Sequence, residues 1–123
     1  MVTLTQGLRP TAHYLISEAN GYRSREVGII ASGSGKLDAG AVLGRVTASK
    51  KLVPLAPAAS DGSQNAAAIL YDACDATSTD VRRTYTARDS EVHAAVLVWP
   101  AGTTDNQKTA ALAQLAALGI AAR

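Results

Sequence analysis

The chain has 123 residues, with 12 basic and 10 acidic side chains for a net charge of +2, a length that builds one domain around a single core. So small and mixed a charge, with no run of like sign longer than two residues, excludes the basic footprint of a nucleic-acid binder and an electrostatic tail. The apolar residues are small, 25 alanines and no phenylalanine beside 26 Leu, Ile and Val, so burial within one subunit gives a modest driving force and self-assembly is the expected remedy.

Residues 1 to 24, MVTLTQGLRPTAHYLISEANGYRS, keep neither a helical nor an alternating period, and Gly7, Pro10 and Gly21 punctuate them. They read as an extended arm ahead of the domain. Val2, Leu4, Leu8, Tyr14, Leu15 and Ile16 give this arm more apolar surface than a solvated tail carries, so a partner surface is expected to cover it. From Arg25 to the C-terminus the chain reads as one β-rich domain. Strands are expected near 25 to 31, 41 to 47, 51 to 55, 66 to 72, 80 to 88 and 91 to 98. In the fifth, Val81, Arg83, Tyr85 and Ala87 alternate with Arg82, Thr84, Thr86 and Arg88, and the second set is expected to face water. PAASDGSQN, at 57 to 65, is a loop by composition. Cys74, the lone cysteine, has no partner for an intrachain disulfide, which fits a reducing compartment, and its place after AAAILYDA reads as a small buried thiol.

One helix is expected, over 105 to 118. Thr104 and Gln107 have capping-box spacing, Asp105 suits the positive end of the helix dipole, and Gly119 sits where a left-handed cap belongs. Leu112, Leu115 and Leu118 recur at intervals of three, and IAAR after Gly119 is expected to return as a last short strand. No apolar run reaches the roughly 18 residues of a membrane span, and no secretion signal opens the chain, so a soluble protein made inside the cell is expected.

The motifs that could carry chemistry dissolve one by one. SGSGKLDAGAVLG, at 32 to 44, has the look of a phosphate cradle, but with Gly35 and Lys36 as its Gly-Lys pair, Ile30 stands where the first glycine belongs and Leu37 where the hydroxyl belongs. After Lys36 comes a β-type run with more glycine, so Gly33 and Gly35 read as turn positions and Asp38 with Gly40 as a second turn. Asp61-Gly62-Ser63 matches a fragment of the retroviral-type aspartic protease loop without the apolar strand that should come next, and DG is first a turn dipeptide. His13 and His93 have no metal-ligand spacing. Asp89 and Ser90, being adjacent strand residues, point to opposite faces and cannot both serve His93 in a triad. Arg82, Arg83 and Arg88 have only Tyr85 among them and read as a solvated face. No cofactor, metal or catalytic residue is expected. Trp99 and Pro100 close a strand just before the helix, and with Leu112 and Leu115 they are the candidates for the subunit core or a contact between subunits.

Several phrases taken in order, YRSREVGIIASGSGKLDAGAVLGRVTAS at 22 to 49, KLVPLAPAASDGSQNAAAILYDACDAT at 51 to 77, RDSEVHAAVLVWPAG at 88 to 102 and the helix region from Gln107 to Ile120, resemble the tailed-phage head decoration proteins, a capsid-stabilising family. Ala68 departs from the glycine that many relatives carry before the isoleucine. The resemblance implies a mainly β (α+β) fold: a small barrel- or sandwich-like subunit with a C-terminal helix and an extended N-terminal arm, assembling as a homotrimer. It implies a non-enzymatic role, with trimers bound to the phage major capsid protein on the outside of the expanded head, at three-fold and quasi-three-fold positions, stabilising it against packaged DNA. Synthesis in the host cytoplasm, and no contact with nucleic acid or membrane, come with that role. The arm at 1 to 24 would be the capsid-binding element. The alternative is a small β module recognising host-surface sugar, which would need exposed aromatic platforms.

Overall fold

The computed structural model describes residues 11–19 and 23–123. In chain order the strands are β1 (Leu15–Glu18), β2 (Arg25–Ile30), β3 (Gly35–Leu37), β4 (Val42–Arg45), β5 (Leu52–Pro54), β6 (Ala66–Leu70), β7 (Cys74–Ala76), β8 (Val81–Thr86) and β9 (Ser90–Val92). Helix α1 (Asp105–Ala117) and strand β10 (Ile120–Ala122) complete the chain. Strands β2, β5, β4, β6 and β8 close into a barrel, β1, β9 and β10 form a three-stranded sheet, and β3 and β7 pair as a two-stranded antiparallel flap. The fold is therefore mainly β with one C-terminal helix.

Strands β4 and β6 are buried on both faces, which explains their nearly continuous apolar runs. Leu43, Ala68 and Leu70 turn into the barrel with Ile30, Leu52 and Tyr85. Val42, Ala66 and Ile69 turn outward into a second cluster with Tyr14, Val92, Ala111, Leu115 and Ile120. Small side chains permit close layers, as at Gly44. A Cβ at that position would lie 2.3 Å from the Ser63 carbonyl oxygen, because the 57 to 65 loop crosses directly over it. The loop is held there by the Ala56 amide donating to the Ser63 carbonyl at 3.0 Å and the Thr47 amide donating to the Asp61 carbonyl at 2.8 Å.

The helix begins as its sequence dictates. The Thr104 hydroxyl accepts from the Gln107 amide while the Gln107 side chain accepts from the Thr104 amide, and Gly119 ends the turn at φ +88°. Ala111 and Leu115 face the core, and the Gln114 side-chain oxygen Oε1 accepts the Ala66 amide at 2.7 Å, satisfying the start of β6 from the helix. The expected final strand forms as β10, parallel to β9.

Three expectations are corrected. The strand expected over 91 to 98 stops at Val92. Residues Ala94–Val96 make a single 3-10 turn, since β9 needs only the three residues that β10 matches, and the turn then steers Leu97 into the outer cluster and Val98 beside Ala41. Thr86, expected to face water, is fully buried because residues from the supposed arm cover it. The domain also begins earlier than residue 25: Tyr14 is fully buried and β1 pairs antiparallel with β9. Strands β1, β3 and β7, of three or four residues each, are too short to leave a periodic signature.

Strand β1 is clasped to β2 by Glu18, whose carboxylate accepts from the Arg25 guanidinium and, at 2.8 Å, from the Ser24 hydroxyl. Burial pushes the Glu18 carboxyl up, but these hydrogen bonds and the Arg25 charge outweigh it and hold the group below the ordinary carboxylate range. A carboxyl depressed in the folded state stabilises the fold above its unfolded pKa of about 4.3, and that contribution is lost as pH falls through the folded value. Glu18→Gln is therefore expected to cost about 1.5 to 3 kcal/mol near pH 7, with the gap to the native chain shrinking below about pH 4; denaturant melts across pH check this, and a gap independent of pH would contradict it. Gly44→Ala is expected to lower stability by about 1 to 3 kcal/mol through forced overpacking against Ser63, read from the denaturation midpoint. An unchanged midpoint would mean that the loop yields freely.

Candidate functional site

The residues singled out in the sequence fall into three groups. Val2, Leu4 and Leu8 lie outside the described residues. Tyr14, Leu15, Trp99, Leu112 and Leu115 come together in the outer core cluster, although Tyr14 and Leu15 were expected to face a partner. Of the arm's apolar candidates that are described, Ile16 alone is well exposed, at 43%.

Tyr14 and Leu115 are fully buried, so both belong to the subunit core. The Tyr14 hydroxyl lies 2.6 Å from the Thr86 hydroxyl in a buried pair, and burial pushes the phenol well above its ordinary pKa. Leu112 and Trp99 are half-buried against the same cluster. Trp99 and Pro100 line a groove of about 280 Å³ with Leu37, Val42, Pro54 and Val98. On the other side of Pro100 a second groove, of about 310 Å³, runs between Leu55, Pro57, Ala58 and Ala101. The two grooves make one largely apolar face with Pro100 as its ridge, built by the segment that joins β9 to α1.

The residues drawn as possible chemistry serve the backbone instead. Gly33 and Gly35 have φ of +89° and +81° with nothing near the missing side chains, and the Gly33 amide donates to the Ala76 carbonyl at 2.8 Å. They shape the turn into the β3–β7 flap. Asp61 is held below the ordinary carboxylate range by the Ser63 hydroxyl and amide, which both donate to it. That is the bonding of a turn. His93 is exposed while Ser90 is buried, so the two do not share a site. The Cys74 thiol is buried, which pushes its pKa up and makes it a poor nucleophile.

Nothing local in the sequence marks Arg45 for a role. Its side chain, from the end of β4, donates to the Tyr85 hydroxyl at 3.0 Å and lies over the same ring, 5.8 Å from its centre. Together with Glu26, Val27, Gly28, Thr47 and Lys50 these residues line an open cleft of about 620 Å³ between β2 and the β4–β5 hairpin. The signal that could have found it is Gly28 in the middle of REVGII, a residue that weakens a strand unless another group must approach closely. Here the Tyr85 ring does: a Cβ on Gly28 would sit 2.9 Å from it.

The described aromatic residues offer no sugar platform. Tyr14 and Tyr85 are buried, Trp99 is half-buried in its groove, and the Arg25 guanidinium stacks 4.4 Å from the Tyr71 ring centre. A comparison with curated proteins returned no match. The family model for the bacteriophage lambda head decoration protein D matches residues 3–120. A small β-barrel subunit with a C-terminal helix, joined to a match that spans nearly the whole 123-residue sequence, leads to one conclusion: the chain belongs to the lambda head decoration protein D family, whose members are structural components of the phage capsid and not enzymes.

Proposed function

We propose that this capsid decoration protein works as a homotrimer, seated on the outer surface of the expanded head at three-fold and quasi-three-fold positions, where it ties neighbouring major capsid subunits together against the pressure of packaged DNA. The observation that carries the reading is the family match over residues 3–120. Two physical features support its finer parts. A core of alanine and short aliphatic chains leaves little stabilisation within one subunit, and the apolar face around Trp99 and Pro100 is suited to burial between copies. The capsid-binding element is proposed to be residues 2 to 10, with exposed Ile16 at its base, because Val2, Leu4 and Leu8 are the arm's apolar residues that precede the buried Tyr14. Three such elements on one trimer would multiply a weak single contact through effective concentration.

The buried Tyr14 sets which deletion tests the arm. Removing residues 2 to 10 is expected to leave melting and oligomer mass unchanged while abolishing binding to expanded heads, measured by co-sedimentation; undiminished binding would refute the assignment. Removing 2 to 20 takes Tyr14 and β1 with it and is expected to cost about 3 to 5 kcal/mol of stability as well, the scale of losing a buried aromatic. Trp99→Ala, at a half-buried site, is expected to cost roughly 2 kcal/mol and to shift the mass in solution from trimer toward monomer. A variant that keeps full trimer mass would remove Trp99 from the contact.

A further inference from the structure

The barrel is closed unevenly. Strand β2 pairs with β8 along its whole length, from Arg25 opposite Thr86 to Ile30 opposite Val81. On its other side it meets β5 at one position only, Ile30 with Leu52. The two strands run parallel but staggered, so β5 starts level with the end of β2. The hairpin tip at Thr47 and Lys50 stands off beside the earlier part. From Glu26 to Ile29 the outer edge of β2 has no strand partner among the described residues. Four residues at roughly 3.3 Å each make an edge of about 13 Å, long enough to seat a short added strand. Val27, 53% exposed, stands on it. Natural sheets usually cover or blunt such an edge, and one left open in a binding protein is a template for a partner's backbone.

The cleft beside this edge also has a charge that nothing described balances. Arg45 is half-buried, and of its five N–H donors the only described polar contact is the one to the Tyr85 hydroxyl. Lys50 on the hairpin tip forms no ion pair among the described residues, whereas Glu26, the one acid lining the cleft, is paired with Arg88. Two unmatched cations beside an open strand edge fit an extended segment that carries carboxylates. The chain's own first ten residues, MVTLTQGLRP, have no acid to offer.

We infer that the β2 edge is a second docking site, which accepts an extended acidic strand of the capsid protein by β-augmentation, with Arg45 and Lys50 pairing its carboxylates. The inference rests on the head-docking reading but assigns a contact distinct from the N-terminal element. The backbone of the added strand supplies general affinity, and the cations fix register and select for acid.

Hydrogen exchange of the native chain, free and bound to expanded heads, tests it. The amides of residues 26 to 29 that do not pair with β8 are expected to exchange at least tenfold more slowly on heads. Arg45→Gln with Lys50→Gln is expected to weaken head binding at least tenfold, and Lys50→Gln alone, on the exposed hairpin tip, carries the charge comparison should the double variant melt early. Heads that bind the chain normally while residues 26 to 29 exchange at the free rate would overturn the inference and leave the docking reading standing. Protection already present in the free protein and rising with its concentration would assign the edge to a second copy, which also overturns it. Failure of the native chain to bind heads at all would remove both.

Discussion

The β1–β9–β10 sheet and helix α1 meet the barrel around one buried pair, the Tyr14 hydroxyl against the Thr86 hydroxyl at 2.6 Å. Thr86 sits at the end of β8, and on an uncovered barrel it would meet water. Tyr14 closes over it, satisfies its hydroxyl, and brings the large aromatic area that an alanine-rich chain otherwise lacks. A lone buried hydroxyl is costly and a mutually satisfied pair is not, so the two residues specify each other. Val92 from β9, Leu115 from α1 and Ile120 from β10 share one buried cluster with Tyr14, which joins the elements that cover the barrel.

The same reasoning explains how so thin a composition builds a domain. Alanine and glycine contribute little by their own burial, but they let layers approach closely, and dispersion rewards close contact. Gly44 beneath Ser63, Gly28 against the Tyr85 ring and Ala111 on the buried face of the helix are three instances. Each gains contact where a larger residue would force the layers apart. Polar side chains then finish what packing leaves open, as Gln114 does for the Ala66 amide and Glu18 for Arg25 and Ser24. The assembly role draws on the remainder: an apolar ridge at Pro100, a strand edge at Glu26 to Ile29, and an N-terminal segment ahead of Tyr14.

Much of this is legible in the residues themselves. The helix announces itself through Thr104, Gln107 and Gly119, since capping is a local matter of residue type and spacing. Barrel strands β2, β4, β5, β6 and β8 fall within the runs read as strands, and the glycines of SGSGKLDAG serve as turn positions. What stays hidden depends on contacts distant in sequence. Tyr14 and Thr86 are 72 residues apart, and nothing local marks a tyrosine in an irregular stretch as the seal of a barrel. A segment of low periodicity with apolar residues reads equally well as an arm seeking a partner or as a strap across its own domain, and here it is a strap from Thr11 to Ala19. Arg45 is invisible for the same reason, since its meaning comes from Tyr85 across the barrel.

The central claim is that the fold begins ahead of β1, with Tyr14 locking that strap into the same cooperative unit as the barrel. Native-state hydrogen exchange of two amides tests it most directly: Ala19, which donates to the Asp89 carbonyl at 3.0 Å, and His93, which donates to the Tyr14 carbonyl at 2.9 Å. The account predicts that both open with the same free energy as the barrel amide of Leu70, through global unfolding. Exchange of Ala19 and His93 orders of magnitude faster than Leu70 would contradict it, because the strap would then lift off while the barrel stays folded.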